Sequence, residues 1–215
     1  NESDIICTHS KAASHAWEEH KSKWQNCTDC TRHNTRHRVA LYRGHLPCNV
    51  LLIGVAPCRS SDSTGAPMST PNVLQLCTGS IVRHLTLSIP TITHGYTNLL
   101  ACYSDKEPSN TTIKACSTRL AELISIARPD VIVFLGTRVG TLVLQSNLLT
   151  QVHDCAYLSV SDPHMIPHTN DSIKRTHRKR MLDNTIRDAA ELVKRKRAIM
   201  TPTDGTEPPV NSPID

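Results

Sequence analysis

The sequence predicts a three-layer α/β/α domain built on a mostly parallel sheet, and two repeated patterns with a helix between them predict it. "NVLLIGVAP" (49–57) and "DVIVFLG" (130–136) are continuous apolar runs stopped by glycine, the signature of strands buried on both faces. Between them, "TTIKACSTRLAELISIARPD" (111–130) sets Ile113, Cys116, Leu120, Leu123, Ile124 and Ala127 at three-to-four spacing until Pro129 ends the pattern. A second helix is expected in "GTRVGTLVL" (136–144), directly after the second strand. Strands alternating with helices imply parallel pairing with helices on both faces. In such sheets ligands bind beyond the carboxyl ends of the strands, where Gly54 and Gly136 fall.

The chain has 215 residues, 38% of them hydrophobic, enough for one domain with a substantial core. Residues 1–24 carry charge without sustained apolar periodicity, and 198–215 ("AIMTPTDGTEPPVNSPID") are rich in Pro, Thr and Asp. Both ends read as tails, the second disordered, around a domain at 25–197. No stretch approaches the roughly 18 apolar residues of a membrane span, and the polar opening does not suit a secretory signal, so an intracellular, cytoplasmic protein with no membrane contact is expected. The chain starts at Asn1, not Met, which leaves open a targeting segment ahead of it.

The formal charge is +5, and its excess is concentrated in "KRTHRKR" (174–180) and "KRKR" (194–197). A polyanionic partner fits this balance. With aromatics at 3%, stacking platforms for single strands are scarce, so binding would lean on charge and backbone amides. The same run also reads as a solvated helix face.

Nine cysteines argue for metal or redox use over a disulfide framework. Cys27 and Cys30 form "CTDC", while Cys102 and Cys116 bracket a thirteen-residue stretch. Two pairs of thiolates brought together suit either an iron–sulfur cluster or a tetrahedral zinc. Cys116 alone reads equally as a small buried hydrophobe.

Taken in order, "CTDCTRHNTRHRVALYRGHLPCNVLLIGVAPCRSSDSTGAPM", "GYTNLLAC", "KACSTRLAELISIARPDVIVFLGT" and "SDPHMI" resemble the family 4 iron–sulfur uracil-DNA glycosylases, especially the short phage-type members, over about residues 24–195. The resemblance implies the uracil-DNA glycosylase fold, a structural [4Fe-4S] cluster on Cys27, Cys30, Cys102 and Cys116, and a monomer acting on single- or double-stranded DNA in a bacterium or a phage-infected host. It implies hydrolysis of the N-glycosidic bond of uracil, leaving an abasic site. A base inside a duplex must be flipped into a pocket first. Gly54, Ala56 and Pro57 would let the backbone approach that nucleotide, and Asp62 falls on a family acid that handles water. Asn98, in "YTN" at an expected strand end, matches the residue that reads uracil, since an amide offers both a donor and an acceptor. Read without the family, Asp62 is a turn or cap residue and Asn98 an amide satisfying nearby backbone. Lys174, Arg175, Arg178, Lys179 and Arg180 follow a motif leading to a loop that presses on DNA, and are expected at phosphates.

Three motifs depart from the family pattern. Its first motif, glycine–glutamate–alanine–proline–glycine, reads "GVAPC" here, with Val55 and Cys58 in place of the acid and the second glycine. Met68 stands where a phenylalanine stacks on uracil; a thioether covers a base face less rigidly. Asp162 replaces the histidine that steadies the charge on the departing base. At about 4 Å and an effective dielectric near 20, like charges repel by roughly 4 kcal/mol, about a thousandfold in rate. His164, two residues on, is the candidate to supply the missing donor. The alternatives are a catalytically silent iron–sulfur protein of the same fold that binds DNA or assists assembly, and a zinc-stabilised nucleic-acid module.

Overall fold

The computed structural model describes residues 11–85, 91–145 and 155–200. Five strands form one sheet: β1 (Arg43–Gly44), β2 (Val50–Gly54), β3 (His94–Asn98), β4 (Val131–Leu135) and β5 (Ala156–Val160). Their order is β1-β3-β2-β4-β5, with β1 antiparallel to β3 and every other pair parallel. The expected mostly parallel sheet is therefore present, with β2 and β4 adjacent at its centre.

Period-two alternation on these strands divides the core. Leu51, Ile53, Ile132 and Phe134 point into one cluster with α1 (Lys11–Trp24), α4 (Asn110–Ala127) and α5 (Thr137–Gln145). Val50, Leu52, Val131 and Val133 point into the other, against α3 (Pro71–His84) and α6 (Ser172–Met200). A short α2 (Arg59–Thr64) follows the turn after β2. Helix α4 begins where the Ser109 hydroxyl accepts from Thr112 N and ends at Arg128, whose left-handed φ of 46° precedes Pro129. No helix among the described residues is long and apolar enough to cross a membrane.

Two expectations about the ends need correction. Residues 11–24, expected within the tail, form α1, and Trp24 is buried in the core. The cause is a narrow stripe: Ala13, Trp17, His20 and Trp24 recur at helical spacing, and Trp17 and Ala13 pack on the cluster that α4 fills. At the other end α6 runs to Met200; the remainder of that expected tail, 201–215, lies outside the described residues, as do 1–10 with Cys7.

Candidate active site and cysteine centre

The carboxyl ends of β2, β4 and β5 open into a cavity of about 530 Å³. Val55 and Ala56 enter it after β2, Gly136 after β4, and Ser161, Asp162 and Met165 after β5; Arg32 and the 104–108 loop close the far wall. Gly136 makes its turn at φ 118°, a conformation that favours glycine, while its N–H donates to Val160 O at 2.7 Å.

Asn98 ends β3 directly across the ladder from Gly54. It is 3% exposed, and its Nδ2 has no hydrogen-bond partner among the described residues. A Cβ at Gly54 would stand 2.5 Å from Asn98 Oδ1, so glycine is what lets the amide occupy this place. Behind it lies Arg119, 1% exposed, whose Nη2 donates to Asn98 O at 2.5 Å and Leu99 O at 3.1 Å. A buried amide donor left unpaired costs about 1–3 kcal/mol, which a ligand accepting from it would recover.

Asp62 is placed elsewhere. Its buried carboxylate accepts from His37 N at 2.9 and 3.1 Å, from His37 Nδ1 at 2.8 Å and from Arg38 N at 3.3 Å, and it is absent from the cavity wall. Those bonds anchor the 36–38 segment. Met68 is likewise turned inward: buried beside Val73 and Ile81 at a left-handed φ of 55°, it belongs to the α3–α6 core and not to the cavity.

At the β5 end, Asp162 Oδ1 accepts from His164 N at 2.9 Å and pairs with His164 Nδ1 at 3.0 Å. That pairing, with a further contribution from Cys58, raises the His164 pKa to about 9 against the opposing effect of burial. For Asp162, burial works upward but the His164 hydrogen bonds outweigh it and hold the carboxyl below its usual range.

Cys27, Cys30, Cys102 and Cys116 line one gap between the end of α1, the loop after β3 and α4, together with Arg36 and Arg119. Arg36 Nη1 donates to Cys102 Sγ at 3.2 Å, and the buried Arg32 donates to Cys102 O at 3.1 Å and Lys106 O at 2.8 Å. Arg119 Nε and Nη1 are buried in this region with no partner among the described residues. There, no three His, Cys, Asp or Glu side chains converge on a point that suits a single metal ion. The four thiols instead ring a gap, as a group containing several irons needs, and unpartnered guanidinium donors suit a group that accepts hydrogen bonds on sulfur. Arg32 borders both the cavity and Cys102, so the two sites share a wall. Arg32 and Arg119 escaped the sequence reading because arginine on a helix or turn ordinarily faces solvent.

On α6, Lys174, Arg175, Lys179 and Arg180 are exposed. Arg175 Nε donates to Thr169 O at 3.0 Å, and Arg178 Nη1 to Met165 O at 3.2 Å and Thr169 Oγ1 at 2.9 Å, which ties the loop after β5 to the helix.

The family model for the uracil DNA glycosylase superfamily matches residues 43–189, the span holding all five strands and every residue of the cavity wall except Arg32. The chain belongs to that superfamily. It is similar to the type-4 uracil-DNA glycosylase of Pyrobaculum aerophilum, 28% identical over 114 residues, which are 52% of this chain and 56% of that protein. The chain thus spans about half the length of the curated relative it matches. Superfamily membership fits the placement of the cavity at the strand ends; Gly54 and Asn98 face one another at the adjoining end of β2 and β3, and neither of them, nor Pro57 or His164, is part of its wall.

Proposed function

We propose that the protein is a DNA glycosylase that hydrolyses the bond between uracil and deoxyribose, leaving an abasic site. The observation that carries this reading is Asn98, a buried amide held at a strand end by Gly54 with its donor unpaired. Nδ2 would donate to uracil O4 and Oδ1 would accept from N3–H, a pairing that cytosine, with a donor at C4 and no N3 proton, cannot make. Arg119 is a positioning residue, fixing the backbone carbonyl of Asn98 from behind.

In the reaction the C1′–N1 bond breaks with its electron pair on the base, and water gives hydroxide to C1′ and a proton to the departing base. The base leaves toward the β5 end, where Asp162 by itself would repel it. His164, which pairs with Asp162 but does not itself line the cavity, is held as imidazolium and offsets part of the negative charge there. Asp62, spent on His37 and Arg38, acts by positioning that segment.

Cys27, Cys30, Cys102 and Cys116 would hold a [4Fe-4S] cluster, with Arg36 and Arg119 donating toward its sulfurs. Such a cluster supplies a structural tie between α1, the loop after β3 and α4. DNA would approach with its phosphates along Lys174, Lys179 and Arg180. The silent DNA-binding alternative draws its support from Asp162 itself, a carboxylate in the cavity wall.

The deciding experiment mixes excess anaerobically purified protein with a single-stranded oligonucleotide carrying one uracil. Alkali-labile cleavage at that position, lost in Asn98→Ala, supports the enzyme. If neither the parent nor Asp162→His releases uracil while both bind DNA, the enzyme is abandoned for the silent protein. Brown protein containing iron and sulfide supports the cluster, and colourless protein with one zinc refutes it.

A further inference from the structure

Cys58 closes the turn that follows β2, and its thiol is surrounded by polar groups. Thr70 Oγ1 lies at 3.0 Å and Ser61 Oγ at 3.4 Å from its Sγ. The third neighbour is the imidazole of His164, in the turn after β5. His164 Nδ1 is taken by Asp162, so Nε2 is the ring nitrogen left for the sulfur; it is buried without an aligned hydrogen-bond partner among the described residues. Cys58 is half-buried, unlike Cys48 and Cys77, which are enclosed in the two cores.

We propose that Cys58, His164 and Asp162 form a thiolate–imidazolium–carboxylate relay that makes Cys58 a nucleophilic modification site for soft carbon electrophiles. Asp162 fixes the tautomer and orientation of His164, His164 stabilises the thiolate, and the Ser61 and Thr70 hydroxyls donate to the sulfur. In the reaction the Sγ lone pair forms the S–C bond, the leaving group departs with its own electron pair, and His164 keeps its proton. Burial alone would push the Cys58 thiol up, yet the neighbouring His164 imidazole and the Ser61 and Thr70 hydroxyls outweigh it and bring the pKa down to about 6. Among the described residues, Cys77 on α3 also interacts with Asp162; burial, with Asp162 adding to it, pushes its thiol up to about 12, so it stays neutral. This chemistry does not depend on base excision, since no substrate group takes part in it.

The test is the pH dependence of alkylation by iodoacetamide in the folded protein, read at Cys58 by peptide mass spectrometry, with Cys77 as the marker of unfolding. A midpoint below 7.5 supports the relay, and one at or above 7.5 overturns it. His164→Gln should raise the midpoint by at least one unit; a smaller change overturns the role of His164. If that variant moves the midpoint to about 8.5, the thiolate fraction at pH 6.5 falls about 75-fold while the more basic sulfur gains about 13-fold in nucleophilicity, a net loss of about sixfold in rate. Asp162→Asn should shift the midpoint upward by less, and no shift removes Asp162 from the relay. Should Cys77 become labelled in a variant, that variant has unfolded and the parent midpoint decides alone.

Discussion

Replacing Gly54 by Ala tests the base-reading assignment with one methyl group. The new Cβ would lie 2.5 Å from Asn98 Oδ1, whereas ordinary contact begins at 3.4 Å, so the amide must give way by about 0.9 Å. A displacement near 1 Å in a group that orients substrate costs on the order of a hundredfold in rate. The backbone gives no such objection: Gly54 is not among the glycines at positive φ, and Gly→Ala at a compatible position gains about 0.4–1 kcal/mol by restricting the unfolded chain. That gain and the cost of moving the amide oppose one another, so Tm should move by no more than about 4 °C. The assay is single-turnover uracil release alongside a thermal melt. Gly79→Ala is the control, because a Cβ there meets nothing within 4 Å. It should stabilise α3 by up to about 1 kcal/mol and leave the rate alone. A Gly54→Ala rate within threefold of the parent would refute the reasoning, since the amide would then tolerate the displacement that its role forbids.

His20 supplies an acid-sensitive contact: burial, helped by Arg119, lowers its pKa to about 4, so the folded form excludes a proton that the unfolded chain takes up below about 6.5. The stability it lends is complete above about 6.5 and is lost as pH falls toward 4; Trp17 and Trp24, the only two tryptophans, both sit on α1, so a red shift of fluorescence over that range should report its release, and an identical transition in His20→Gln would assign the effect to other groups. For DNA, neutralising Lys174, Lys179 and Arg180 together should flatten the dependence of log affinity on log salt by about 2.7 for duplex, and an unchanged slope would return these charges to solvent.

What could be read from the chain alone followed the strength of local patterns. β2 and β4 were legible because apolar runs buried on both faces look like nothing else when a glycine ends them, and α4 because its apolar stripe is continuous from Ile113 to Ala127. β3, "HGYTN", has no such pattern; its strand state comes from pairing with β1 and β2 on either side. Helix α1 had a stripe of four residues under a mostly charged composition, and only the surface of α4 opposite makes that stripe worth burying. At the site, sequence order could align Asn98 and the four cysteines with a family, but it could not place guanidinium groups inside the fold, so Arg32 and Arg119 were invisible. The departures at Cys58 and Asp162 show the same limit more sharply. Read along the chain, 104 positions apart, each is the loss of a family residue, and Asp162 is a charge of the wrong sign. Folded, the strand ends bring them to opposite sides of His164, whose proton is held by the one and steadies the other. A carboxylate that would repel a leaving base by itself becomes the group that keeps an imidazolium charged, and a cysteine in place of glycine gains a partner able to ionise it. The two replacements are therefore physically dependent: removing Asp162 should weaken the Cys58 thiolate, and neither substitution can be judged as a defect without the other.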